Sequence, residues 1–202
     1  MAEKQDRRIR KTKAQLRHGL ARLMQKKSIK EITVKELVEE VDINRSTFYL
    51  HYTDIYDLLE KTELELKDEL MNIISNEEPV PIEATMPHIT ALFTFVADNR
   101  DIASALLGPN GDVAFISHIE QIIAGHCMDF LRPYMADSDS DRLGFANAFC
   151  ITGCVGLIID WMKHDFRETP EAMAKMAYTL VLSALRPYMT DAAARQLMPK
   201  NS

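Results

Sequence analysis

ITVKELVEEVDINRSTFYLHYTDIYDLLE, residues 32–60, carries the pattern that decides the fold. Thr33 precedes Val34, Lys35 and Glu36, a spacing that lets the Thr33 hydroxyl and the Glu36 carboxylate satisfy backbone donors at a helix start. The apolar spacing predicts a short helix over 34–41. Asp42, Ile43 and Asn44 then set two turn formers around one apolar residue, and Asn44 is a good N-cap for a third helix over 45–51. Two short helices joined by a tight turn, the second exposing Arg45, Ser46, Thr47 and Tyr49, match a helix-turn-helix reader of duplex DNA. Short hydroxyls and the arginine fork suit base edges in the major groove, so Arg45, Ser46 and Thr47 are the expected base readers. Tyr49 and His51 are placed to reach phosphates, which set register without specifying sequence. Phe48 is expected to point inward with Ile32, Leu37, Val41 and Ile43. A helical hairpin packed on the rest of the chain would share this periodicity, so the pattern alone leaves both readings open.

Upstream, Ile9, Leu16, Leu20, Leu23 and Met24 fall on one stripe of an expected helix over 7–26, with Arg8, Lys11, Arg22 and Lys26 facing away. Downstream, Thr53 or Asp54 can cap a fourth helix reaching residue 75, and Glu77-Glu78-Pro79-Val80-Pro81 ends it. Five further helices are expected at 84–98, 100–107, 112–134, 140–164 and 170–187, the last opened by Thr169-Pro170. The fold class is therefore all-α: a three-helix DNA-binding domain over 1–53 and a helical regulatory and dimerisation domain over 54–202, with helix 54–76 as connector and about nine helices in all. No internal repeat stands out.

Net charge is −6, but it is unevenly spread. Residues 1–52 hold 13 Lys and Arg against 7 Asp and Glu, and the remainder holds 11 against 23, so a head of +6 sits on a body of −12. Phosphates would attract the first and repel the second, which orients an encounter with DNA. The charged start MAEKQDRRIRKTKAQ lacks the apolar run of an export signal, so a cytoplasmic protein is expected. The uncharged run 143–159 is just long enough to span a bilayer, yet Asn147, Thr152 and three glycines favour a buried helix over a membrane segment. Cys127, Cys150 and Cys154 are expected as reduced, buried structural thiols in preference to a metal-binding or oxidation-sensing group with His126, and His88, His118 and His164 as ordinary residues. No metal site, cofactor or catalytic constellation is expected, for no GxGxxG, P-loop, HExxH, GxSxG or CxxC arrangement occurs.

The segment from Thr33 to Tyr52 resembles the DNA-binding signature of the TetR family of regulators, a likeness extending over residues 7 to 60. The family pattern has a threonine opening the second helix, an apolar residue in the turn and Thr-Phe-Tyr-x-His-Tyr closing the recognition helix. The resemblance implies phosphate contacts for Thr33, Tyr49 and His51, and helix capping and base reading for Asn44, Arg45, Ser46 and Thr47. Lys35 completes the expected DNA-contacting set. Two positions depart from the pattern. Asp42 stands where the family usually has glycine, and it tolerates the left-handed conformation nearly as well. Ile55 stands where the family usually has a lysine near the start of the fourth helix, so one phosphate contact is absent.

Residues 149–181, FCITGCVGLIIDWMKHDFRETPEAMAKMAYTLV, resemble the C-terminal domain of a branch of that family common in Firmicutes, which implies dimerisation. Gly153 and Gly156 allow close helix approach, and Phe145, Phe149, Met173, Met176 and Leu180 supply apolar stripes for a seam between two copies. Phe93, Phe130 and Trp161 are candidates to line a pocket for a small apolar effector. The expected partners are an operator duplex, a second copy of the chain and such an effector, with repression as the outcome. The rival is a helical adaptor that works through a protein partner and touches DNA secondarily.

Overall fold

The computed structural model describes residues 2–75, 86–136 and 140–196. Among them lie α1 (Ala2–Met24), α2 (Val34–Glu40), α3 (Arg45–Tyr49), α4 (Ile55–Ser75), α5 (Met86–Asp98), α6 (Arg100–Leu106), α7 (Val113–Leu131), α8 (Ser140–Lys163), α9 (Pro170–Leu185) and α10 (Asp191–Gln196), and no β-strand. The all-α expectation holds, with one helix more than the periodicity indicated. That helix, α10, has six residues, too few for an apolar period to show, but its cap is legible: Thr190 Oγ1 accepts from the Ala193 amide at 3.3 Å. The Glu77–Pro81 break lies outside the described residues.

Two compact units emerge: Met1–Glu69 with Asn99–Ile116, and Leu70–Asp98 with Ser117–Ser202. The first therefore extends past residue 53 and takes in α6, which packs on α1. The Asn110 amide donates to the Met24 carbonyl at 3.1 Å, filling one of the acceptors that a helix C-terminus leaves open. Gln25 likewise donates to the Asp101 carbonyl at 3.1 Å. The turn that delivers Asn110 needs glycine, since a Cβ on Gly111 would run into the Leu106 carbonyl oxygen. On α1, Leu16, Leu20, Leu23 and Met24 are buried, whereas Ile9, expected on the same stripe, is exposed. The pairs of His18 with Asp101 and Arg22 with Glu40 hold α6 and α2 against the C-terminal half of α1, well beyond Ile9. Helix α2 comes so near α1 that a Cβ on Gly19 would collide with Cγ1 of Val41. Two ion pairs fix the crossing, Arg22 to Glu40 at 2.7 Å and Lys27 to Glu36 at 2.6 Å.

The second unit has two buried clusters. Phe93, Trp161, Met173, Ala174 and Ala177 form one, at the packing of α5 on α9 and α8 on α9. Its anchor is Trp161, whose indole donates to the Glu168 carbonyl at 3.1 Å and whose ring meets Phe166 edge-on at 4.8 Å. Asp165 and Phe166 both adopt positive φ, 56° and 53°, which closes the corner from α8 into α9. Thr169 then caps α9 through the Ala172 amide at 3.2 Å, with Pro170 in the first turn as expected.

The other cluster gathers Leu131, Cys150, Leu185, Met189 and Ala193. It contains a feature that reading for long periods missed: Leu-Arg-Pro-Tyr-Met occurs at 131–135 and again at 185–189. Both copies end a helix in a 3-10 turn, Arg132–Tyr134 and Arg186–Tyr188. The copies then clasp each other, Met135 opposite Met189, with Ala136 donating to Tyr188 and Thr190 to Tyr134, each at 3.0 Å.

The expectation that 143–159 is a buried helix is only partly met. Helix α8 is long and apolar enough to cross a membrane by length and composition, and 11% of its most apolar window is buried in the chain. Asn147 is buried and donates to the Ala124 carbonyl at 3.3 Å, but Phe145 and Phe149 face outward.

Glu63 on α4 is the buried polar group left unsatisfied among the described residues. Its Oε1 is buried with no hydrogen-bond partner. Burial, reinforced by Asp112 and Glu60, pushes its carboxyl up to about 7. The folded state therefore holds this proton where the unfolded chain, titrating near 4.5, has lost it. Stability contributed by protonated Glu63 is complete below pH 4.5 and lost as pH rises through about 7. Glu63→Gln should raise the Tm at pH 8 and flatten its decline between pH 5 and 8, measured by thermal melts of both proteins.

Candidate nucleic-acid interface

A helix of five residues cannot orient itself, and α3 takes its direction from Phe48, which is fully buried. Ile32 and Leu37 are buried with it, while Val41 and Ile43 are half-buried. The remaining residues are turned outward: Arg45, Ser46 and Tyr49 are exposed, and Thr47 and His51 are half-buried. The Ile43 amide donates to the Val38 carbonyl at 3.0 Å across the turn, and Asp42 takes φ 52°, the left-handed conformation expected of it.

Arg45 and Tyr49 do not act separately. Arg45 Nη2 donates to Tyr49 Oη at 3.1 Å, and the guanidinium carbon lies 5.5 Å from the ring centroid. The fork expected to read bases is held in the free protein by the tyrosine expected to hold phosphate. Asn44 occupies the N-cap position of α3, but its side chain makes no capping bond. Its backbone carbonyl does the work, accepting from Thr47 at 2.9 Å and Phe48 at 3.3 Å. At α2 half of the expected box forms: Thr33 Oγ1 accepts from the Glu36 amide at 3.2 Å, while the Glu36 carboxylate turns to Lys27. That lysine holds the carboxyl of Glu36 below its ordinary range. Lys35 is exposed, 3.9 Å from Glu39, a surface pair too loose to hold it.

The start of α4 differs in kind from a phosphate contact. Ile55 is buried. Asp54 accepts from the Asp57 amide at 2.9 Å and Asp57 from the Thr53 amide at 2.8 Å, so two carboxylates close this helix end. The Thr53 amide and Lys61 hold the Asp57 carboxyl below its usual range. Lys61 sits over the Tyr52 ring at 5.4 Å and pairs with Asp57 at 3.0 Å.

In the second unit the expected dimer residues fall in two groups. Phe145 (77% exposed), Phe149 (71%), Leu180 and Met176 lie open, and a Cβ on Gly153 or Gly156 would meet nothing within 4 Å. Met173, by contrast, is interior, packed with Phe93 and Trp161, because it lies on the face of α9 that closes the core. The expected pocket triad is likewise divided: Phe93 and Trp161 meet with ring centroids 5.8 Å apart and planes tilted by 59°, while Phe130 lies against the other cluster, its ring 5.9 Å from Tyr134. Cys127, Cys150 and Cys154 are free, and burial pushes Cys127 and Cys154 to about 11, which keeps them protonated and sluggish as nucleophiles.

One outward residue of the reader escaped the sequence reading. Leu50, which ends α3, is 78% exposed, and its exposure on a helix that buries Phe48 follows from the register alone.

A family model described as transcriptional regulator C-terminal region, of the TetR type, matches residues 83–183, half of the chain. Such families are regulators of transcription. The chain is similar to the uncharacterized HTH-type transcriptional regulator YxbF of Bacillus subtilis (strain 168), at 22% identity over 174 residues, 83% of this chain and 44% of that protein. The chain thus spans less than half the length of this curated relative. Its fold is similar to that of a TetR transcriptional regulator from Streptococcus agalactiae 2603V, with 23% identity, 90% of this chain and 99% of that one, and a TM-score of 0.58. It is also similar to NalD, the secondary repressor of the MexAB-OprM multidrug efflux pump in Pseudomonas aeruginosa, at 13% identity over 90% and 98% of the two chains, TM-score 0.63. At these identities the likeness to solved structures carries the fold alone.

The turn conformation sets a test. A β-branched residue at φ 52° pays the left-handed penalty that aspartate softens and glycine avoids. Asp42→Val should cost about 1–2 kcal/mol in chemical denaturation, whereas Asp42→Gly should leave stability unchanged or raised.

Proposed function

Because the chain belongs to the TetR family of transcriptional regulators, we propose that it is a DNA-binding repressor acting as a homodimer on a palindromic operator. The observation that carries this reading is the arrangement of α3, which buries Phe48 and turns Arg45, Ser46 and Tyr49 to solvent at one end of a basic segment. In the proposed complex α3 enters the major groove, Arg45, Ser46 and Thr47 meet base edges, and Thr33, Lys35, Tyr49 and His51 meet phosphates. The Asn44 side chain, not used in capping, is an additional base reader. Exposed Phe145, Phe149, Met176 and Leu180, with Gly153 and Gly156 between them, form the seam to the second copy, which doubles the site read. Occupying a promoter blocks polymerase, hence repression, and the protein works in the cytoplasm beside its operator. A small apolar effector that enters at Phe93 and Trp161 and prefers one conformation would release it.

The adaptor reading keeps one specific observation in its favour. Asp54 and Asp57 stand at the start of α4, where Ile55 is buried, so that helix end offers carboxylates to a phosphate backbone. An adaptor would bind duplexes weakly and without sequence preference.

Selection of bound duplexes from a random pool at physiological salt separates the two. An enriched palindrome with half-sites about one helical turn apart is the expected result, and no enrichment would support the adaptor. On the enriched duplex, Arg45→Ala should relax preference at particular base pairs. Phe149→Asp combined with Leu180→Asp should sediment as a monomer and lose most operator affinity. A dimer that persists in that double variant would remove the proposed seam.

A further inference from the structure

Leu50 is the most exposed large apolar residue among those described, and it ends the helix proposed to enter the groove. Its direction is well defined. The backbone at Leu50 is still helical, φ −71° and ψ −19°, and the chain continues the turn, with Tyr52 donating to the Phe48 carbonyl at 3.0 Å. Phe48, fully buried, marks the inner pole of α3. At about 100° per residue, Ser46 and Leu50 each lie about 200° from Phe48, within about 20° of the outer pole. Arg45 and Tyr49 stand on one flank, joined to each other, and Thr47 and His51 on the other. Ser46 and Leu50 therefore project farthest from the body of the reader, one helical turn apart.

A leucine at that pole can neither donate nor accept a hydrogen bond. Among the base edges of the major groove, the apolar group is the C5-methyl of thymine. An exposed leucine contributes nothing to the folded monomer, whereas burial against a methyl removes both from water. We propose that Leu50 is a specificity-determining residue that selects thymine at one position of each half-site by packing on its methyl group. This inference rests on the reading of α3 as a groove helix and adds to it a contact that depends on shape and not on charge.

The test uses the full-length protein and the duplex enriched by selection, with each thymine replaced in turn by deoxyuridine, which removes the methyl and nothing else. The native protein should bind about fourfold more weakly when one particular thymine of a half-site is replaced, the factor expected for a methyl-sized group taken from water. Leu50→Ala should bind the thymine duplex more weakly and be indifferent to that replacement. Its helical circular dichroism and Tm should match those of the native chain, because the side chain lies outside the core. If every deoxyuridine duplex binds the native protein as well as thymine does, or if Leu50→Ala keeps the same loss, the Leu50 assignment is overturned while the groove reading stands. If no sequence is enriched at all, the groove reading falls and the Leu50 assignment with it.

Discussion

Burial of Phe48 is the interaction on which the reader depends. A five-residue helix has no stability of its own in water, and its backbone bonds alone would not decide which way it faces. Phe48 in the interior decides it, and every outward residue follows from that one contact by register. The support beneath is tight: α2 lies so close to α1 that only glycine is accommodated at position 19, and two ion pairs span the same crossing. The pairs also take Arg22 and Lys27 out of the supply of cations for phosphate. The positive charge of the first 52 residues is thus partly structural.

Much of this was legible in the sequence because short-range chemistry determines it. Thr33, Asp42 and Thr169 announce a cap, a left-handed turn and a helix start, and each does so in the structure. The inward Phe48 followed from period alone. What stayed hidden depends on partners distant in the chain. Glu36 could cap its own helix but finds Lys27 nearer in energy. Met173 shares a helical spacing with Met176, yet only the fold says which one faces Phe93 and Trp161. Asn110 reads as a turn residue, and its bond to Met24 across 86 positions of chain cannot be inferred from its neighbours. The candidate pocket failed as a triad for the same reason: apolar residues at helical spacing name a buried face without naming which core it joins.

The open face of α8 and α9 differs from the rest of the second unit in how little of it is satisfied within the chain. Asn147 and Cys150 turn inward from α8, and Phe145, Phe149, Gly153 and Gly156 turn outward. The corner at Asp165 and Phe166, with Trp161 bonded to Glu168, holds the two helices to one geometry before any second copy arrives. Under the proposed assembly little ordering entropy would remain to be spent at the seam.

The paired Leu-Arg-Pro-Tyr-Met segments have a topological consequence. The chain leaves the clasp at Met135 and returns to it at Met189, so α8 and α9 are the contents of a loop whose two ends touch. Closure entropy grows slowly with the length enclosed, so the clasp tolerates residues added or lost at the exposed turns of that loop at little cost. The helices inside the loop are bound to the host all the same, since Cys150 and Leu185 pack beneath the clasp and Trp161 and Met173 pack against Phe93, so sequence change that alters partner choice would be confined to outward positions such as Phe145 and Phe149.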